Sequence, residues 1–557
     1  MEYFDGEPLS HVGDLPAMAA HRYGDKTAAR FYDQELTFAN LESRANGVAH
    51  VLSERGTEPG ERIGLYIPNS LQYLESYFGI IKAGAVPVPL NLRMAPNTLE
   101  YVLRNANVDQ MIGSALLAGG LDTEEGRVIG PLELAERADV GSLYVDGVEG
   151  DPVIEYGPAI EAAPPTFDRP DRDFDDVALQ PYTSGTTGQP KGVLLTHENL
   201  LKTIEAYDTG GLTVDPDSTI LLVLPLFHIY GLNAVVGTYV YKGAEMILQP
   251  RPEPVAMLDA IDTHDVTDFA GVPAIYTMMW REYRENPDAY DLSSLESVVC
   301  AAAPLADEVR RTIEAEWNVP MTEGWGMTET SPAGTSEPSR GVRKAAGCIG
   351  PPLNNVEIKL VDPETRETKV APDQLEPYVD PDLDTENPDS VTGEIAIRGP
   401  TVFQGYYEMP EKTQAVFDDE GFFYTEDIAR VDEDGYFWMV DRADDMIISG
   451  GENIYPAEVE DALYEHPEVA EAAVVAASHE LKGEAPVAFV VLEEGSDLDE
   501  EELRSFSLDH VATYAHPRRI FFIDELPRSA TQKVQRYKLE AEVAERLDGD
   551  LESSEEL

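Results

Sequence analysis

Apolar residues recur at three- and four-residue steps at Leu41, Ala45, Val48 and Leu52, just after Thr37. That spacing predicts a helix with one buried face, capped by a threonine hydroxyl. Residues 62–67 (RIGLYI) then read as a strand, 71–82 as a second helix and 85–90 (AVPVPL) as another strand. Strand, helix and strand within about thirty residues predict a βαβ unit, and hence a parallel sheet covered by helices. The strand pattern returns at 219–224, 246–249 and 298–301, with helical stretches between, and no fixed-period repeat is visible.

Two stretches break this rhythm. Residues 118–172, rich in Gly, Asp, Glu and Pro, are expected to be a surface insertion, and 362–392, acidic and Pro-rich, a solvated loop. After Arg442 the texture changes. A short helix is expected over 457–464, strands over 470–477 and 486–492, a helix over 498–511 and a strand over 520–523. The weakly apolar run 441–445 marks the expected boundary. The fold class is therefore α/β, with a large N-terminal domain (1–441) of parallel and mixed sheets covered by helices. A small C-terminal α+β domain (442–557) follows. The apolar stretch 219–241 is long enough to span a bilayer, but Pro225, His228, Gly231 and Asn233 interrupt it. A buried strand, a turn and a buried helix explain it better.

Composition changes the picture in sign only. Of 557 residues, 43% are apolar, enough for a large core, and the charged share of 26% is ordinary. The balance is not: 40 Lys+Arg stand against 105 Asp+Glu, a net charge of −65, and only 12 of the cations are lysine. Such a surface repels phosphate backbones and anionic lipid, which excludes nucleic acid as a partner and argues against stable membrane insertion. It suits a cytosol of very high salt, where screening removes self-repulsion. The 2 cysteines, Cys300 and Cys348, make neither a disulfide framework nor a thiolate cluster. The acidic N-terminus lacks a cationic, apolar leader, so a cytoplasmic setting is expected.

The sharpest local signal is YTSGTTGQPKG at 182–192. Its glycines permit unusual backbone angles, its hydroxyls offer donors and Lys191 adds a point charge, a combination suited to wrapping polyphosphate. It is not a nucleoside-triphosphatase P-loop, because no Gly-Lys-Ser/Thr follows at the required spacing.

With the motifs that follow it in order between about Leu36 and Leu539, this segment resembles the AMP-forming adenylate-forming (ANL) superfamily. That family includes acyl-CoA synthetases, peptide-synthetase adenylation domains and beetle luciferases. The resemblance implies that ATP and a carboxylate give acyl-AMP and pyrophosphate, and that a thiol then displaces AMP. It also implies a mobile small domain turning about a hinge at Asp444. Thr183, Ser184, Gly185, Thr186, Thr187 and Lys191 would form the phosphate loop. Ala302, in CAAAPL (300–305), would lie beside adenine, where the family often has Gly in place of Ala301. Glu323, Gly324, Trp325, Gly326 and Met327 would line the nucleotide site, Thr328 would contact the α-phosphate, and Glu329 with Thr186 would hold Mg²⁺. Trp325 stands where Tyr is commoner, which removes a hydroxyl from a ring that stacks on adenine or walls the acyl pocket.

Asp427 would accept both ribose hydroxyls. Its neighbour Glu426 occupies a position where the family has Gly. Arg442 would contact ribose or phosphate. Gly450 and Gly451 would line the pantetheine tunnel for CoA, and Lys533, beside Gln532 where Gly is usual, would bridge the carboxylate and AMP. His228, in LPLFHIYG (224–231), would shape the acyl site. General-base chemistry is not required, because a carboxylate is already the nucleophile at neutral pH. The pocket stretch 271–279 (GVPAIYTMM) offers no cation for a second substrate charge. The expected substrate is thus a medium- or long-chain fatty acid, with an aromatic acid close behind. A stand-alone adenylation enzyme serving a carrier protein, or a non-catalytic relative, are the rival readings, and a homodimer is carried as an open expectation.

Overall fold

The computed structural model describes the chain except residues 1–2, 5–6, 124–125, 184–188, 211–212, 304, 306, 339–343, 376–378, 443–444, 450–451, 480–482, 494, 509, 512–514, 529–533 and 547–557. Among the described residues two parallel sheets organise the first two-thirds of the chain. One has five strands in the order Val153–Ile154, Ser142–Tyr144, Gln110–Gly113, Arg62–Tyr66 and Val86–Pro89, all parallel. The other has eight strands. Its parallel centre runs Met321–Trp325, Ser297–Ala301, Asp268–Gly271, Thr219–Leu222, Glu245–Leu248 and Thr27–Phe31. Antiparallel edges, Thr335–Ser336 and Gln34–Thr37, close its two sides.

The βαβ reading holds. Phe38–Glu54 forms the first long helix, and the Thr37 hydroxyl accepts the Asn40 N–H at 3.1 Å as its cap. Leu71–Lys82 is the crossover helix, buried along most of its length because it packs against Phe38–Glu54 inside the main apolar cluster. The 219–241 stretch resolves into the strand Thr219–Leu222, the π-helical turn-rich segment Tyr230–Gly237 and the helix Thr238–Lys242. Among the described residues no helix is long and apolar enough to cross a membrane.

The expectation of a surface insertion at 118–172 is corrected. Ser142–Tyr144 and Val153–Ile154 are strands of the five-stranded sheet, and Pro131–Ala138 and Tyr156–Ala162 are helices whose Leu134, Ala135 and Ile160 are buried. Short strands between turn-forming residues carry too few apolar positions to show periodicity. The loop at 362–392 is partly built in as well: Thr368–Val370 pairs at the edge of a third sheet, and Val370 and Val391 are buried.

That third sheet has six antiparallel strands, with Phe423–Val431 between Thr392–Arg398 and Phe437–Arg442. Beyond it, Val469–His479 pairs with Gly483–Leu492, and Arg519–Phe522 runs parallel to the latter. Helices Pro456–Tyr464, Glu500–Leu508 and Arg536–Arg546 accompany this small sheet. Its apolar clusters, centred on Val474 and Val490 and on Phe489 and Leu539, are its own. The parallel strands of the eight-stranded sheet end together at Gly271, Ala301 and Trp325, the edge at which open α/β sheets place their ligands.

Candidate active site

A cleft of ≈ 2560 Å³ opens at those strand ends, and the small C-terminal sheet and its helices close its far side. Thr183, Lys191 and His228 line it, as do Ala302 and every residue from Glu323 to Glu329, with Asp427. Side chains expected to act together, though far apart in sequence, share one cavity. Ser184, Gly185, Thr186, Thr187, Asp444, Gly450, Gly451, Gln532 and Lys533 lie outside the described residues. Arg442 is placed by its backbone, opposite Asp427 in the antiparallel ladder.

Tyr182–Thr183 and Lys191–Thr196 pair antiparallel, with Thr183 opposite Lys191. Among the described residues the buried Thr183 hydroxyl has no partner, an arrangement that fits an oxygen-rich ligand. Gly405–Tyr406 pairs with Lys191–Thr196 and sets Tyr406 beside Lys191, whose ammonium sits 4.6 Å from the ring centroid. The Tyr406 hydroxyl donates to Glu329 Oε1 at 3.0 Å, so one tyrosine fixes both the cation and the carboxylate. Burial and the neighbouring Lys412 ammonium lower the Lys191 pKa, while Glu329 opposes them. Neither Tyr406 nor Lys412 was singled out from sequence. Their partners lie in other segments of the chain, and only the pairing of Gly405–Tyr406 with Lys191–Thr196 brings them together.

Thr328–Thr330 is a single 3-10 turn directly after the strand Met321–Trp325. The close turn requires a glycine at 326, because a Cβ there would sit 1.5 Å from the Pro332 carbonyl oxygen. His228 ends a tight turn, and its Nδ1 accepts the Tyr230 N–H at 3.3 Å.

Trp325 makes a contact that its sequence motif did not indicate. Its indole N–H donates to Asp427 Oδ2 at 2.7 Å, with both residues buried. The substitution for Tyr therefore removes a hydroxyl yet supplies a donor that orients the carboxylate. Gly334 lies flat against the ring, where a Cβ would come within 2.4 Å of it. Hydrogen bonds to buried charged groups contribute about 1.5–3 kcal/mol. Trp325→Phe is accordingly expected to raise the KM for ATP by roughly ten- to a hundred-fold, measured by pyrophosphate exchange, with a smaller change in kcat.

Two backbone positions answer the departures from the family pattern. Glu426 adopts φ +63°, the left-handed region that glycine enters freely, and its N–H is tied to Glu394 Oε1 at 2.9 Å. A side chain there costs about 1–2 kcal/mol, so the motif keeps its shape at some expense in stability. In the turn after Ser297–Ala301, expected from sequence to lie beside adenine, the left-handed angle falls on Ala302 (φ +72°), not on Ala301.

Glu323 lines the cleft, but its carboxylate serves the interior. It binds Arg310 at 3.0 Å and accepts the Gly347 N–H, while Arg310 also binds Glu337 at 3.0 Å. Burial pushes the Glu323 pKa up to about 8, against the pull of Arg310. This lies above the 4.5 of an ordinary glutamate, so the folded chain holds an extra proton between those values. Stability is therefore expected to fall as pH rises through that window and to level off above it. Thermal melts across pH should show this slope, and Glu323→Gln should flatten it.

Of the stretch 271–279, Pro273, Ala274 and Thr277 face the cleft, whereas Ile275, Tyr276 and Met279 are buried in the core, as one helix face dictates. The same helix carries Arg281 and Arg284 to the rim, cations that a reading confined to the stretch did not include.

The fold is thus α/β, with a large cleft at the strand ends of its eight-stranded sheet. The AMP-binding enzyme family matches residues 17–407, and the AMP-binding enzyme C-terminal domain matches residues 458–533. The chain belongs to this family and is an AMP-forming acid–thiol ligase. A long-chain-fatty-acid–CoA ligase of Bacillus subtilis (strain 168) is 34% identical over 95% of this chain and 93% of its own. The 4-coumarate–CoA ligase 2 of Nicotiana tabacum is 32% identical over 92% of this chain and 90% of its own. Among solved structures, ATP-bound MatB from Rhodopseudomonas palustris superposes with a TM-score of 0.82 at 29% identity, covering 95% of this chain and 98% of that one.

Proposed function

We propose that the protein is an ATP-dependent acid–CoA ligase acting on medium- or long-chain fatty acids. A carboxylate oxygen bonds to the α-phosphorus of ATP and pyrophosphate leaves. The CoA thiolate then bonds to the acyl carbonyl carbon and AMP leaves. The observation that carries this reading is the convergence of Thr183, Lys191, Glu329 and the Trp325–Asp427 pair on one cleft. Lys191 supplies positive charge for the phosphates, Asp427 accepts ribose hydroxyls, and Thr328 contacts the α-phosphate. Arg281 and Arg284 offer cationic contacts at the rim for an anionic thiol.

Mg²⁺ suits a single buried carboxylate that shares its shell with phosphate and water. Glu329 with Thr186 would hold it, and when bound it would neutralise phosphate charge. We assign residues 1–441 to the nucleotide-binding body and 442–557 to a small domain that turns about Asp444 between the two half-reactions. Arg281 and Glu493, 3.7 Å apart and both about half exposed, form a contact across this division weak enough to release.

A panel of acids tests the reading: CoA-dependent AMP release with fatty acids supports it. Acyl-AMP that accumulates undiminished by CoA would favour delivery to a carrier protein instead. An aromatic acid is the second reading, because a tyrosine-lined wall (Tyr207, Tyr230, Tyr239) also suits a flat ring. The acidic surface we read as adaptation to a high-salt cytosol. ATP and CoA are themselves anionic, so activity is expected to rise steeply with KCl toward molar concentration. A flat profile with full activity near ~0.1 M would contradict that reading.

A further inference from the structure

Lys191 shares its end of the cleft with a second lysine. Gly405–Tyr406 pairs with Lys191–Thr196, and the Tyr407 N–H donates to the Gly192 carbonyl at 2.8 Å. The short helix Pro410–Ala415 follows at once, and its Thr413 hydroxyl accepts the Tyr406 N–H at 2.9 Å. Met409, Lys412 and Val416, three and four positions apart, all line the cleft, so one helix face turns Lys412 inward. Its ammonium is thereby set next to that of Lys191.

Two like charges side by side are costly, and this chain has ample means to separate them. With 105 acidic residues against 40 cations, a lysine finds a carboxylate readily. Lys82 holds Glu42, Lys242 holds Asp208 and Lys359 holds Asp418. Among the described residues neither Lys191 nor Lys412 forms an ion pair with a carboxylate. Lys191 has the Tyr406 ring and the Lys412 ammonium beside it, while Glu329 and Glu426 attract it without pairing. Burial and the Lys412 charge lower the Lys191 pKa, which marks a pair of cations short of negative charge. A polyanion seated against both ammoniums would supply that charge, because each phosphate offers several charged acceptors.

Resting on the ligase reading above, we propose that Lys412 is a second phosphate-binding residue, which with Lys191 grips the β- and γ-phosphates of ATP and the pyrophosphate that leaves. The row of contacts supports this end of the nucleotide. Trp325 ties down Asp427, the residue proposed for the ribose. Tyr406 bonds Glu329 through its hydroxyl and meets Lys191 with its ring, and Lys412 comes next in the row. The added charge therefore serves phosphates beyond the α position. AMP, which keeps only the α-phosphate, would leave Lys412 without a ligand.

The test measures equilibrium binding of ATP, AMP and inorganic pyrophosphate to the full chain by calorimetry, at one KCl and one Mg²⁺ concentration. Lys412→Gln should weaken ATP and pyrophosphate by roughly tenfold and leave AMP within about twofold. Lys412→Arg, which keeps the charge, should recover most of the loss. In pyrophosphate exchange the same loss should appear as a higher KM for ATP, with a smaller change in kcat. Lys412 is exposed, so both variants should melt as the wild type does. Equal weakening of ATP and AMP, or pyrophosphate binding unmoved by Lys412→Gln, would overturn the inference and leave the ligase reading standing. A wild-type enzyme that forms AMP from no acid would overturn the ligase reading and the inference with it.

Discussion

Lys533→Ala is expected to lower acyl-adenylate formation by roughly 10²–10³-fold while leaving thiolysis of supplied acyl-AMP within a few-fold of wild type. The magnitude is that of removing one preorganised group from a site of developing negative charge. The asymmetry follows from the proposed rotation of the small domain: the two half-reactions would use different orientations of it, and the lysine would serve only the first. Residues just beyond it, Val534 and Gln535, line the cleft, and Arg536 is tied to Glu460 at 2.6 Å, which anchors the segment beside the cavity. Pyrophosphate exchange reads the first step and CoA-dependent AMP release from acyl-AMP reads the second. Equal loss in both would remove Lys533 from its assigned role.

Glu329→Gln should reduce pyrophosphate exchange by about 10²-fold and raise the Mg²⁺ concentration needed for half-maximal rate. The amide keeps the shape and can still accept the Tyr406 hydroxyl, so the fold around the 3-10 turn should survive and the change isolates the charge. Tyr406→Phe offers the companion measurement. It leaves the carboxylate in place but removes its 3.0 Å hydrogen bond, and a loss of about tenfold is expected, without a large shift in the Mg²⁺ requirement. A Glu329→Gln enzyme with unchanged Mg²⁺ dependence would remove the metal role from Glu329.

The sequence made the scaffold readable where burial is periodic. The helix at Phe38–Glu54, the crossover at Leu71–Lys82 and the parallel strands all carry long apolar repeats that local chemistry enforces. Ser142–Tyr144 and Val153–Ile154 were not readable, because strands of two or three residues between turns have no period to detect. The residues that contiguous motifs nominate for the site, such as Thr183, Lys191, Trp325 and Glu329, are gathered by the fold in one cleft. The bonds among them were not legible. The Trp325–Asp427 contact joins positions 102 residues apart, and Tyr406 reaches Glu329 across 77. The first depends on how the third sheet lies against the eight-stranded one and the second on the pairing of Gly405–Tyr406 with Lys191–Thr196, neither of which a local pattern encodes.

The central claim is that a carboxylate oxygen attacks the α-phosphorus of ATP in this cleft. The most direct measurement uses a fatty acid labelled with ¹⁸O in both carboxylate oxygens, turned over with ATP and CoA, followed by mass analysis of the nucleotide. The account requires one labelled oxygen in AMP for every acyl-CoA formed, because the oxygen that bonds to phosphorus departs with AMP when the thiolate attacks the carbonyl. Unlabelled AMP, or ADP with the label in inorganic phosphate, would contradict it.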